Sequence, residues 1–228
     1  MKKIMALILA IILASSMLVS CNAEQEQPTS TEKPTWAPHD APSVNDIDIS
    51  KLENLDGVSE SAEETDYVKI TVKGFGDIII RLYPNVAPLT VSNFKKLVSE
   101  KFYDGLTFHR VIKGFMIQGG DPEGTGLGGS SANVRGEFSA NGFENNLIHR
   151  KGVISMARNG QSMDSASSQF FICQKTSSHL DGSYAAFGYT VYGIEVVDEI
   201  VEEVRTNSND KPLTDVVIES IRFVTVDE

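Results

Sequence analysis

Cysteine is nearly absent from this chain: Cys21 and Cys173 are the only two among 228 residues. Two thiols are too few for a disulfide framework or a cysteine-based metal cluster. They also stand in unlike settings, Cys21 at the end of an apolar N-terminal run and Cys173 at the end of the stretch Gln169–Cys173, so no bond between them is expected. Histidine is sparse too, and His39, His109, His149 and His179 lack the spacing of zinc ligands. Basic charge is in deficit: 20 Lys and Arg face 31 Asp and Glu, a formal net charge of −11. A phosphate backbone requires a basic face, so a nucleic-acid partner is excluded. No nucleophile elbow occurs, and scattered Ser, His and Asp residues are what chance provides, which argues against a hydrolase. No segment repeats.

The charge that is present is unevenly placed. Residues 22–66 hold 12 acidic and 2 basic residues, whereas residues 67–228 hold 19 and 16. Ahead of the acidic stretch, Lys2 and Lys3 precede the run Ile4–Val19, which is apolar apart from Ser15 and Ser16. Its sixteen residues fall short of the roughly 20 that a membrane span needs. A basic start, an apolar middle and small residues before a cut site describe an export signal. Leu18-Val19-Ser20-Cys21 resembles the bacterial lipobox, which implies cleavage after Ser20 and lipidation of Cys21. Two acyl chains, at about 0.8 kcal/mol per buried CH₂, hold firmly where one is marginal. The organisation read from these features is a signal peptide at 1–20, a lipidated Cys21 with an acidic flexible tether to residue 66, and a folded domain at 67–228. The expected location is the extracytoplasmic face of a cell membrane. Asn22–Ser43 is too rich in Glu, Gln, Pro, Ser and Thr to offset its ordering entropy. As a coil the tether spans on the order of 35–40 Å. Ile47, Ile49, Leu52 and Leu55 either dock on the domain or form a short turn.

From Tyr67 the pattern changes. Tyr67–Lys73 alternates as a half-buried strand does, Gly74–Gly76 turns, and Asp77–Tyr83 returns. Pro88 suits a first helical turn, and Val91, Phe94, Leu97 and Val98 share one helical face. Short strands are predicted at Thr107–Val111, Phe115–Gln118, Val153–Ala157, Ser168–Cys173 and Ala186–Thr190. A second helix carries Val196, Val197, Ile200, Val201 and Val204, and Val216–Val226 closes as a strand. The expected fold class is mainly β: a closed eight-stranded antiparallel barrel capped by two helices.

The chemistry concentrates in Phe108-His109-Arg110-Val111-Ile112-Lys113-Gly114-Phe115-Met116-Ile117-Gln118-Gly119-Gly120-Asp121. Strict alternation puts Phe108, Arg110 and Ile112 on one side of their strand, and Phe115, Ile117 and Gly119 on one side of the next, unless a bulge shifts the register. An Arg beside Phe, Met and Gln offers a charged donor fork on an apolar wall. His109 is read as a structural hydrogen-bonder. The run resembles the signature of the cyclophilin-type peptidyl-prolyl cis–trans isomerases. Four further motifs recur in that family's order: Gly136–Phe143, Gly152–Arg158, Ser168–Ile172 and Leu180–Gly182 with Phe187-Gly188.

The resemblance covers roughly Tyr67 to Val226 and implies roles residue by residue. Arg110 matches the catalytic arginine. Phe115, Met116, Phe171 and Leu180 match the proline pocket, and Gln118 the contact to the carbonyl side of the substrate. Ala157 and Arg158 fall along the peptide groove and Gln169 at its far wall. His179 stands where many eukaryotic members have Trp, Tyr184 where they have His, and Arg158 where Asn is common. His179 and Tyr184 resemble bacterial members, and loss of the Trp implies weak cyclosporin binding. The loop Gly124-Thr-Gly126 to Gly128-Gly129 aligns ambiguously. The implied partners are proline-containing polypeptides, met by a membrane-anchored monomer without a cofactor. The rival within the same fold is a module that holds proline segments with little turnover.

Overall fold

The structure is a computed structural model that describes residues 52–227. The expected signal peptide, Cys21 and the first part of the expected tether, with Ile47 and Ile49, lie outside the described residues. The strands are β1 (Val58–Glu60), β2 (Tyr67–Val72), β3 (Gly76–Leu82), β4 (Arg110–Ile112), β5 (Met116–Gly119), β6 (Val153–Met156), β7 (Phe170–Cys173), β8 (Ala186–Tyr192) and β9 (Ile218–Val226). They form one antiparallel sheet in the order β1-β9-β2-β3-β8-β6-β7-β5-β4. β2 shows why: its residues alternate half-buried and buried along the whole strand, so one face meets the core.

The ladder bears out the expected mainly β antiparallel fold with two helices, but its strand pairing does not itself close into the expected eight-stranded barrel. Nine strands pair, and the order has two free ends. The sheet curls so that its sides approach ahead of β4. There Thr107 makes a lone bridge to Val217, and the Phe108 N–H donates to the Val216 carbonyl at 2.9 Å. The ninth strand is β1, in the segment expected to be tether. It pairs with the end of β9, Val58 opposite Val226. Leu52 and Leu55, left open between docking and a turn, dock: both pack with Ile79, Val191 and Val224, and the Leu52 N–H donates to the Val191 carbonyl at 2.9 Å.

Two helices cover the sheet. α1 (Pro88–Ser99) buries Thr90, Val91, Phe94, Leu97 and Val98, and α2 (Ile194–Glu203) buries Val196, Val197, Ile200 and Val201. α1 starts at Ala87, which has no capping side chain. Its free N–H groups are met from afar: the fully buried Glu137 accepts from Leu89 N–H at 2.9 Å and Thr90 N–H at 2.8 Å. A carboxylate at a helix N-terminus meets both the unpaired donors and the positive end of the dipole. The motif Gly136–Phe143 thus has a structural use that no local pattern shows. Phe94, Tyr103, Phe170 and Phe187 fill the interior. Phe170 meets Phe94, Tyr103 and Phe108 edge-on, at 5.7, 5.5 and 6.0 Å between centroids. No helix of the described residues is long and apolar enough to cross a membrane.

Candidate active site

The pairing register assembles the site across neighbouring strands. Arg110 of β4 lies opposite Gln118 of β5, Gln118 opposite Phe171 of β7, and Phe171 opposite Ser155 of β6. One row over, Ile112, Met116 and Cys173 are opposite one another. These residues share the face turned away from the aromatic interior, because side chains in register point the same way. Phe108 does not join them. It is in the core, since regular pairing begins only at Arg110 and the chain before it is irregular. Phe115 and Ile117 are likewise on opposite faces. Phe115 sits in the turn, its N–H bonded to the Ile112 carbonyl, and so falls outside the strand's alternation.

On this outer face Met116, Phe171, Cys173 and Leu180 form a separate apolar cluster, with Phe115, Ala157 and Tyr184 packed at its edge. A cleft of about 630 Å³ opens above it. Its lining includes Arg110, Phe115, Met116, Gln118, Ala157, Arg158, Phe171, His179, Leu180 and Tyr184. Gln169 is set apart, in an adjoining cleft of about 370 Å³. It reaches the first cleft through Gln118, whose Nε2 donates to Gln169 Oε1 at 2.8 Å. Gln169 Nε2 in turn donates to the Gly126 and Gly128 carbonyls at 3.1 and 2.7 Å. Carbonyls only accept, so they orient Gln169, and Gln169 orients Gln118. His179 leans on Phe115, with ring centroids 5.5 Å apart.

The rim supplies residues that the sequence did not flag: Asn207, Asn209 and Lys211 line the same cleft. The intervening Asp210, at φ 61°, holds Arg110, with Nε 3.4 Å from Oδ2. The only hint was composition, since Asn207–Pro212 is a cluster of turn formers that nothing local places over the site. Lys211 Nζ donates to the Gly124 carbonyl at 3.1 Å, tying this hairpin tip to the glycine loop. That loop is wound around Asp121, which accepts from the N–H groups of Glu123, Thr125 and Gly126. Burial works to raise the Asp121 pKa, but the surrounding backbone N–H groups outweigh it and hold the carboxyl below its ordinary value. Gly128 is required here, because a Cβ would overlap the Asp121 carboxylate.

His109 is not the hydrogen-bonder expected. It is buried in the cleft wall, and neither ring nitrogen has a partner. Burial, partly countered by the Asp121 charge, pushes its pKa below the ordinary value. His149 is the histidine that bonds on both sides: Nδ1 to Asp181 Oδ1 at 2.9 Å and Nε2 to Ser155 Oγ at 3.0 Å. This Ser–His–Asp chain has the connectivity of a hydrolytic triad, yet Ser155 is fully buried and does not line the cleft. A sealed hydroxyl cannot attack a substrate, so the chain is a structural brace whose imidazole stacks on Phe171. Burial likewise pushes the Cys173 thiol up to about 12, leaving it inert beneath the floor. No His, Cys, Asp and Glu cluster of the described residues has the make-up of a metal site.

What remains is an apolar hollow with two guanidinium groups, Arg110 and Arg158, at its rim and amides beside it. The family described as "Cyclophilin type peptidyl-prolyl cis-trans isomerase/CLD" matches residues 67–223. The chain belongs to the cyclophilin-type peptidyl-prolyl isomerases. "Peptidyl-prolyl cis-trans isomerase B" of Bacillus subtilis is 44% identical over 133 residues, 56% of this chain and 89% of that protein. "Peptidyl-prolyl cis-trans isomerase-like 2" of Gibberella zeae is 42% identical over 147 residues, 64% of this chain, and is matched over only 25% of its own length. A Cryptosporidium parvum cyclophilin, crystallised in the presence of the dipeptide ala-pro, superposes with a TM-score of 0.63 at 31% identity, covering 71% of this chain and 99% of that one. The cyclophilin match begins at Tyr67, so β1 and the docked Leu52 and Leu55 precede it.

Proposed function

We propose that this cyclophilin rotates X–Pro bonds in exported or cell-surface polypeptides, with the ring held in the Met116–Phe171–Leu180 hollow and Arg110 acting on the amide nitrogen. The supporting observation is the register row that sets Arg110, Gln118 and Phe171 side by side over that hollow. Rotation must break amide resonance, a barrier of about 18–20 kcal/mol. In the twisted state the proline nitrogen becomes pyramidal and regains a lone pair. A guanidinium beside the ring donates to that lone pair and finds none in the planar ground state, so the interaction is differential. A charged hydrogen bond contributes roughly 1.5–3 kcal/mol, whereas a millionfold acceleration needs about 8 kcal/mol. The hollow therefore supplies the larger share, gripping the ring and desolvating the amide while Gln118 meets the turning carbonyl side. No nucleophile, metal or cofactor enters the step. We read the curled sheet as a working barrel, with Gly105–Phe108 as its seam.

The address is part of the same reading. The export signal and lipobox read in the sequence, with the acidic tether, support an anchored monomer at the extracytoplasmic face of a cell membrane, where chains emerge unfolded and slow prolines limit folding. His179 in place of the larger Trp makes cyclosporin binding weak. A proline-peptide isomerisation assay, with Arg110→Ala as control, tests the enzyme: wild-type turnover in the variant refutes the role of Arg110. Absence of turnover with retained peptide binding turns the reading to a holding module. Mass spectrometry of the mature N-terminus tests the anchor, and an unmodified Met1 or a serine-side cut without lipid refutes it.

A further inference from the structure

Arg158 stands on the ridge shared by the two clefts, with Gln118, Gly126 and Ala157 as the other residues common to both. It is the half-exposed residue that follows β6 and Ala157. Its guanidinium carbon lies 4.8 Å from the Tyr184 ring centroid and 5.4 Å from that of Phe138. Nε donates to the Ser183 carbonyl at 2.9 Å, and Nη1 to the Asn159 carbonyl at 3.0 Å. Two rings and two carbonyls thus fix the plane of the group. Only two of the five N–H donors are taken in this way. Among the described residues no carboxylate pairs with it, whereas Arg110 has Asp210 and Arg222 has Asp104. Arg150, also stacked on a ring and without a carboxylate, is absent from the residues lining either cleft, whereas Arg158 lines both and keeps three N–H donors that a bound carboxylate can accept from. The side chain is ordered on folding, so little of its freedom remains to be lost on binding.

The neighbouring cleft gives that partner an address. It is lined by polar groups, among them Ser130, Asn133, Ser165 and Gln169, and it adjoins the hollow through Gln118. Were the proline ring in the hollow and Gln118 on its carbonyl side, as proposed above, the residues before the proline would pass the shared residues Ala157 and Arg158 toward the second cleft. We propose that Arg158 is a specificity-determining residue that makes this isomerase favour polypeptides with an acidic side chain at the second or third position before the proline. This rests on the isomerase reading above and adds the substrate class. Of the other cations at the rim, Arg110 is paired with Asp210, and Lys211 lies on the hairpin tip and is tied to the Gly124 carbonyl. It lines the first cleft and is not among the residues of the second.

The experiment compares short proline peptides that carry Glu, Gln or Lys at each of those two positions, turned over by the whole folded protein at about 0.15 M salt, where distant acidic groups are screened. Turnover of the Gln peptide tests the isomerase reading by itself. The Glu-to-Gln ratio of kcat/KM tests Arg158, and because it is internal to each protein sample, partial unfolding of a variant cancels. The expected wild-type ratio is about three- to fivefold, the strength of a partly exposed ion pair, and it is carried by KM. Arg158→Asn brings it to about one, and Arg158→Glu reverses it in favour of the Lys peptide. A wild-type ratio of one at both positions overturns the proposal. So does a ratio that survives in Arg158→Asn or that is lost instead in Lys211→Gln.

Discussion

Phe170 and Phe171 are neighbours in β7 and serve opposite ends. Phe170 points inward, edge-on to three other rings, in an interior packed with the protein's own side chains. Phe171 points outward, stacked on His149 and edge-on to Tyr184, on a face that the chain leaves partly open. The same alternation separates Ile117 from Met116 and Gln118 in β5. A curled sheet of this size therefore has no room for a ligand inside. The hollow proposed for the proline ring is instead an apolar patch on its outer wall, kept from collapse by rings that are braced from below. Stability and the proposed catalysis thus fall to opposite faces of the same strands.

Substitutions at the two phenylalanines are the strongest way to break that division. Phe170→Ala is expected to cost about 3–5 kcal/mol of stability, as for other buried rings, while the molecules that stay folded keep their kcat/KM. Phe171→Ala should lose less stability and more activity, mainly through KM. Denaturant melts run beside a peptide assay check both, and equal effects on both readouts at both positions would end the distinction. Next in size, Arg110→Ala should lower kcat/KM by about 10- to 100-fold, the equivalent of one charged hydrogen bond, with an unchanged melting midpoint. Arg110→Lys should remain well below wild type, because a point charge lacks the planar fork.

The two buried histidines answer to pH. Burial holds both His109 and His149 below the ordinary value of 6.5. The unfolded chain therefore takes up protons first, so their contribution to stability is present above pH 6.5 and is lost as pH falls through the folded values. Melts from pH 8 to 5 should show this decline, and His149→Gln should make it shallower. The smallest expected effect is at the rim. Arg110 and Asp210 are both 41% exposed and 3.4 Å apart, so Asp210→Asn should change stability by no more than about 1 kcal/mol. A larger loss would mean that the rim belongs to the structural half of the molecule after all.

Much of this was legible in one dimension. β2 and β3 announced themselves by alternation, and α1 and α2 by apolar residues at helical spacing, because both are local consequences of burying one face. Arg110, Phe115, Met116 and Gln118 lie within a single motif, so the family resemblance named them together. Legibility failed where partners are remote. Glu137 gives no sign of capping α1 from 47 residues away in sequence. Asp210 gives none of meeting Arg110 across 100 residues. β1 is three residues long and half exposed, too short for any period to register.

The sequence by itself determined where both helices and the longer strands lie, which residues carry charge beside apolar ones, and to which family the signature belongs. All of these are written in short-range order, where spacing maps directly onto geometry. Tertiary structure alone decided that Phe108 turns inward, that Leu52 and Leu55 dock on the domain while Val58 joins the sheet, that Ser155 is sealed, and that two loops meet above the hollow. Those outcomes depend on register and closure between distant segments. No local pattern encodes them, because the contacts that stabilise them exist only once the sheet has curled.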